Sequence, residues 1–133
     1  MTAPLPPFLV GPITRAQVEA FAAVSGDANP LHVSPALAGK VGLDAVPVHG
    51  MLLAAFLHEA ARHYRPRGMV VGLSTRFMAP VPVGETVEIS GRVVKAGGPA
   101  DPVILRLFVG IVGGTPACIA EATIAPPSEG WPA

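Results

Sequence analysis

Hydrophobic and polar side chains alternate along the second half of the chain, and clusters of Gly and Pro separate the alternating segments. The segments are rich in Val, Ile and Thr, and Val87, Ile89 and Val93 would share one face of an extended strand. This pattern is typical of strands joined by turns. We therefore predict four strands in an antiparallel meander, at residues 70–78, 86–95, 103–112 and 117–125.

The first half of the chain has helical periodicity. Val18 and Phe21 give residues 15–24 an inner face, and Thr14 is a typical N-cap for this helix. A Ser-Pro pair opens a second, shorter helix, because Pro is well tolerated in a first helical turn. The remaining elements predicted here are a short strand at 8–13 and this second helix at 34–38.

The longest predicted helix is the apolar segment 50–64. It is rich in Ala and Leu and poor in β-branched residues, which favours a helix. Its residues 51–57 are seven consecutive apolar side chains, so we expect its first two turns to be buried on all sides. A sheet that covers such a helix gives an α+β architecture with a central helix, in one domain over residues 1–133.

Composition narrows the possible partners. The 133 residues are 50% hydrophobic and only 14% charged, with nine basic and nine acidic side chains. Nucleic acid and anionic membranes need a local excess of Lys and Arg, so neither is an expected partner. We expect no transmembrane helix and no secretion signal, hence a cytoplasmic protein. So small and weakly charged a chain is expected to bury surface in a homo-oligomer.

The cysteine and histidine spacing bears on redox and metal chemistry. Cys118 is the one cysteine, so no internal disulfide forms, and its apolar neighbours indicate a buried, inert thiol. No Cys pair and no His pair at helical spacing occurs with a third ligand. We therefore predict no metal site.

The polar loop 25–32 is unusual in so apolar a chain. Asp27 and His32 are five positions apart, and a carboxylate and an imidazole can converge there on one water as base and acid. The alternative is structural: Asp27 caps the following turn, Asn29 belongs to that turn, and His32 is an ordinary residue at its edge.

A second candidate site is Gly50, at the first turn of the central helix. A helix N-terminus favours developing negative charge, and a glycine leaves its N–H open to approach. Gly50 could therefore bind an enolate or thioester oxygen. The alternative is that this glycine permits close packing of helix and sheet, with His49 as the helix cap.

Three segments together resemble one family. Residues 21–32 resemble the hydratase motif of MaoC-like dehydratases and (R)-specific enoyl-CoA hydratases. Residues 48–51 resemble the start of that family's central helix, and 76–81 with 84–85 resemble its strand-and-turn segment. The resemblance spans about residues 14–125. It implies a hotdog fold, in which a curved antiparallel sheet wraps around one long helix, and usually a dimer with sheets joined edge to edge.

The resemblance also implies an activity, the reversible hydration of a trans-2-enoyl-CoA to an (R)-3-hydroxyacyl-CoA, with no metal or redox cofactor. It makes Asp27 and His32 the catalytic pair, with Asp27 preferred as base and His32 as acid. Gly50 would bind the thioester oxygen. The residues expected to support the loop are Ser25, Asn29 and His49.

Other substrate contacts are less specific hypotheses. The residues that could line the acyl pocket are Met51, Phe56, His58 and Met78, and their bulk favours a short chain. His58 could equally lie between helix and sheet. Arg76 could contact coenzyme A phosphates, together with Arg62, Arg65 and Arg67, although a basic cluster after a helix is often simply solvated.

Two other functions remain open. The same motif serves 3-hydroxyacyl dehydratases that act on acyl-carrier-protein substrates. The chain could also be a non-catalytic acyl-CoA-binding hotdog subunit, although such a subunit needs no acid–base pair. A hotdog thioesterase is disfavoured, because the Asp-x-Asn-Pro-x-His arrangement suits hydration.

Overall fold

The computed structural model describes residues 3–127. The helices within this range are α1 (Arg15–Ser25), α2 (Pro35–Lys40) and α3 (Gly50–Tyr64), and a 3₁₀ turn spans Pro30–His32. The strands are β1 (Ala3–Val10), β2 (Met69–Phe77), β3 (Val87–Lys95), β4 (Val103–Ile111) and β5 (Pro116–Ala125). No helix in the described part of the chain is both long and apolar enough to cross a membrane.

All five strands form one antiparallel sheet in the order β1-β3-β4-β5-β2. The predicted four-strand meander is therefore wrong in one respect: β2 pairs with β5, and only β3, β4 and β5 follow one another. The connection after β2 carries Pro80 and Pro82, and it pairs instead with the segment before α3. There the Val48 N–H donates to the Val81 carbonyl oxygen at 2.8 Å. The chain then enters β3, which lies between β1 and β4.

The other edge strand, β1, is longer and begins earlier than predicted. It contains Pro4, Pro6 and Pro7, and a bulge in its pairing with β3 falls between Leu5 and Phe8. Proline has no N–H for a ladder, so it is tolerated at a sheet edge or a bulge. The predicted strand at 8–13 left this proline-rich segment out.

Helix α3 packs on one face of the sheet, against β2, β4 and β5. Its buried side chains recur at helical spacing, and they meet the buried side chains of the central strands. The expectation that its first two turns are buried on all sides is wrong for the single chain, because the side chain of Met51 is 63% exposed. Met51, Ala55 and Glu59 follow at intervals of four and form the face turned away from the sheet.

Candidate active site

The loop after α1 is shaped by its own polar groups. Gly26 ends the helix in the left-handed conformation, with φ 77°. The Asp27 N–H then donates to the Ser25 hydroxyl at 3.1 Å, and the Leu31 N–H donates to the Asn29 side-chain oxygen at 3.0 Å. Ser25 and Asn29 thus hold main-chain groups of the loop, which fits the supporting role expected of them.

The His32 ring has a tautomer fixed by its surroundings. Its Nδ1 lies 2.8 Å from the carbonyl oxygen of Pro47. A carbonyl can only accept, so Nδ1 carries the hydrogen, and in the neutral ring Nε2 keeps its lone pair. The half-buried ring therefore offers Nε2 for proton transfer.

Asp27 and His32 are brought together as the sequence predicted. Nitrogen or carboxylate oxygen atoms of Asp27, His32 and His49 all lie within 4.8 Å of one another. Asp27 is exposed, whereas His49 is only 1% exposed. The three side chains come from the loop and from the residue before α3, so the cluster joins two separate segments.

The His49 contacts fit the loop-supporting role expected from the resemblance, and not the alternative role of a helix cap. His49 occupies the N-cap position of α3, but its side chain makes no capping hydrogen bond. Instead, its Nε2 lies 3.0 Å from the main-chain carbonyl oxygen of Asp27, and its ring stacks on that of His32 with centroids 3.9 Å apart. The ring therefore points at the loop rather than at the helix start.

Proximity alone would make Asp27, His32 and His49 a candidate metal-ligand set. A metal must lie in the plane of each imidazole, about 2.0 Å from its nitrogen. The stacked rings of His32 and His49 are 3.9 Å apart and only 21° from parallel, so their lone pairs do not converge on one ion. This geometry disfavours joint ligation, and the absence of a metal in the protein stays a prediction.

Gly50 starts α3 beside this cluster, and both interpretations of it find support. Within residues 3–127 its N–H has no hydrogen-bond partner, as expected for a free first-turn donor. A Cβ at this position would lie only 3.1 Å from the ring of Phe77. Close packing therefore also favours glycine here.

An open groove of about 410 Å³ adjoins His32 and Gly50. Met78 contributes to its wall, as predicted. Sequence reasoning missed Phe77, although strand alternation places Phe77 on the same face as Thr75, towards α3. The other lining residues are Leu31, Leu43, Pro47, Val48, Leu53, Ala79, Pro80 and Val81.

Four other residues predicted to contact substrate lie outside this groove. Met51 is on the exposed face of α3, Phe56 packs against the core, and the His58 Nδ1 lies 3.9 Å from a Glu59 carboxylate oxygen at the surface. Arg76 pairs with Ile119 between two β2 positions that face α3, so it lies on the opposite side of the sheet. Within one chain, Arg76 therefore does not meet the groove.

The basic cluster near the end of α3 lies far from the candidate site. Arg65 and Arg67 border a larger cavity of about 570 Å³. Helix α3 separates that cavity from Gly50, and its 15 residues span roughly 20 Å. The larger cavity therefore lies apart from His32, which lines the smaller groove.

Comparison with known proteins shows the family to which the chain belongs. The sequence model of the MaoC like domain matches residues 9–100, so the chain belongs to that family. It is 36% identical over 113 residues to the (R)-specific enoyl-CoA hydratase of Aeromonas caviae, which covers 82% of this chain and 83% of that protein. It is 38% identical over 76 residues to the mitochondrial 3-hydroxyacyl-[acyl-carrier-protein] dehydratase of Arabidopsis thaliana, covering 57% of this chain and 45% of that protein.

The fold comparison is equally direct. The solved structure of the (R)-hydratase from A. caviae involved in PHA biosynthesis superimposes with a TM-score of 0.82 and 32% identity, over 96% of this chain and 95% of that one. The predicted hotdog fold and the predicted family are confirmed. The residue roles stay predictions that the geometry supports.

Proposed function

We propose that this chain hydrates trans-2-enoyl-CoA to (R)-3-hydroxyacyl-CoA, and catalyses the reverse dehydration. Family membership and the names of its relatives support a hydratase or dehydratase, that is, a hydro-lyase. The observation that carries the proposal is the His32 Nδ1–H donation to Pro47, because it leaves Nε2 free in a ring that borders an apolar groove. A nitrogen of this ring lies within 4.8 Å of an Asp27 carboxylate oxygen.

In this mechanism Asp27 and His32 share one transferable proton. As the oxygen of water bonds to the β-carbon of the enoyl group, one member of the pair takes a proton from that water. The other member gives a proton to the α-carbon, and the pair returns to its first state by internal proton transfer. A coupled pair titrates as a unit, so the preferred assignment of Asp27 as base and His32 as acid describes one of its proton arrangements.

Gly50 has the complementary electrostatic role. Enolate character develops on the thioester oxygen as the water adds, and the free Gly50 N–H at the start of α3 can donate to it. Phe77 lies against Gly50 and borders the groove, so it limits where the thioester can lie.

The test uses crotonyl-CoA as substrate. Asp27→Asn and His32→Ala should each lower kcat by about 10²–10⁴-fold, since each removes one acid–base group. Asp44→Asn, the same change at an exposed carboxylate outside the groove lining, should retain wild-type turnover. Wild-type rates in both loop variants would disprove the assignment. Turnover by the purified chain alone would also exclude a non-catalytic binding subunit.

The carrier and the product need their own measurement. The similarity to an acyl-carrier-protein dehydratase makes a carrier-bound substrate the second candidate. Crotonyl-CoA and crotonyl-acyl-carrier protein compared at equal concentration should give the higher kcat/KM for the CoA ester. Chiral analysis should then find (R)-3-hydroxybutyryl-CoA. A clear preference for the carrier-bound ester would favour the alternative.

We further propose a homodimer joined along β2. Met69, Val71 and Phe77 leave 39%, 58% and 47% of their surfaces exposed in this strand, which contains no proline and whose outer edge is unpaired in the described sheet. Exposed apolar edge strands favour pairing with another strand. The cytoplasmic location and the lack of a cofactor remain predictions from the sequence.

A further inference from the structure

His49 is the single buried polar side chain among residues 3–127. The Asp27 carbonyl that its Nε2 faces can only accept a hydrogen bond, so Nε2 carries the hydrogen and donates across 3.0 Å. The neutral ring then has its lone pair on Nδ1, and this buried atom has no partner. His49 therefore donates its one N–H hydrogen to the main chain of the loop.

Aromatic contacts fix the His49 ring on two sides. His32 stacks on it with an interplanar angle of 21°, and Phe21 of α1 packs against it with centroids 4.9 Å apart. A ring held in this way has little freedom to turn about its own bonds. Its donor direction towards Asp27 is thus set by packing.

The segment before α3 therefore holds both members of the acid–base pair. Pro47 accepts from the Nδ1–H of His32, and His49 donates to the main chain of Asp27. The next residue, Gly50, carries the N–H proposed for the thioester oxygen. Residues 47–50 thus fix the position of the proton-transfer groups relative to the Gly50 N–H.

We infer that His49 is a positioning residue, whose Nε2–H and ring stack set Asp27 and His32 against the Gly50 N–H. This inference rests on the proposed hydration. The His49 ring itself lies behind His32, because His32 lines the groove and His49 does not. A displacement near 1 Å in a reacting group can cost about 10²-fold in rate.

The kinetic test separates the hydrogen bond from the ring packing. His49→Phe keeps an aromatic ring and removes the donor, so kcat for crotonyl-CoA should fall about 10²-fold while KM stays within about twofold. His49→Gln restores an N–H donor and should recover at least about tenfold of that loss. His63→Phe, the same substitution near the other end of α3, serves as the matched control and should retain wild-type kcat.

A spectroscopic readout does not depend on activity. Long-range ¹H–¹⁵N correlation spectra at mildly alkaline pH should show His49 as the Nε2–H tautomer and His32 as the Nδ1–H tautomer. A His49 hydrogen on Nδ1, or an unchanged kcat in folded His49→Phe, would overturn the inference. If the wild-type chain shows no hydration at all, the proposed function fails, and the tautomer measurement still decides the role of His49.

Discussion

The two edges of the sheet are built in opposite ways. β1 carries three prolines, and the Tyr64 hydroxyl at the end of α3 donates to the Pro6 carbonyl at 2.5 Å. Phe8 packs against the rings of His63 and Tyr64, with centroids 5.2 and 5.9 Å away. Proline, bulge and hydrogen bond together leave β1 a poor template for another strand.

β2 has neither the prolines nor the tyrosine hydrogen bond, and it shares only the bulge with β1. Its sequence is free of proline, and Val71 beside its own bulge is 58% exposed. The fold thus covers one edge with its own side chains and leaves the other exposed, as the proposed dimer requires. An exposed apolar side chain therefore predicts strand pairing at β2 but not at β1. Leu9 on β1 is 60% exposed, yet the prolines of β1 make its backbone a poor partner for another strand.

The largest expected effect comes from a charge on the open edge. Val71→Lys should raise the dimer dissociation constant by about 10³-fold or more, because pairing would desolvate two ammonium groups at a cost of several kcal/mol each. Sedimentation equilibrium measures this directly. Leu9→Lys, at nearly equal exposure on β1, is the control and should leave the dimer unchanged. If Leu9→Lys dissociates the dimer and Val71→Lys does not, the interface lies along β1, and the proposed dimer along β2 is wrong.

A smaller effect is expected at the closed edge. Tyr64→Phe removes the hydroxyl that reaches Pro6, and should lower the free energy of unfolding by about 1 kcal/mol. Urea denaturation at fixed protein concentration and neutral pH measures this loss, while hydration activity should remain at the wild-type level. Equal stability of the two proteins would mean that this hydrogen bond contributes nothing to holding β1.

The same variant predicts a pH dependence. Burial raises the pKa of Tyr64 above its ordinary value of 10.0. A group with a raised folded-state pKa stabilises the fold below its unfolded-state pKa, and this contribution disappears as the pH rises through the folded value. The stability difference between wild type and Tyr64→Phe should therefore be constant below about pH 10 and shrink above it.

The smallest effect concerns Cys118, which serves as a reporter of the open edge. It is fully buried on β5 opposite Phe77 of β2. Burial raises its pKa above the ordinary 9.0, so little reactive thiolate is present near neutral pH. Iodoacetamide should label it slowly in the wild type and faster in Val71→Lys, whose β2 lacks a partner. Equal rates would show that pairing does not protect this edge.

Local patterns predicted most of the elements. Helices α1 and α3 begin where the sequence indicated, because capping and apolar periodicity are properties of neighbouring residues. The pairing of β2 with β5 was missed, because the local pattern of a strand does not indicate which strand lies beside it, and these two are about 40 residues apart in the chain. Likewise, the apolar run of α3 does not reveal which of its sides the sheet covers, so the exposure of Met51 was not foreseen.

In the candidate site, too, the local residues could be predicted from the sequence and the contacts between distant segments could not. Asp27 and His32 could be found because one short loop carries both. The contact between His49 and Asp27 joins residues 22 positions apart, and nothing in the local pattern indicates it. For Arg76, strand alternation puts the side chain on the sheet face opposite to Phe77. Its contact with coenzyme A therefore stays a prediction that the groove of a single chain does not support.

Phe77 belongs to two surfaces at once. It ends the strand with the open edge, and its ring lies against Gly50 in the wall of the groove. If two copies join along β2, a substitution selected for a wider groove also alters the end of the strand that a partner meets. A single substitution at Phe77 would then change both the acyl-chain preference and the strength of the dimer. The two properties could not evolve independently at this position.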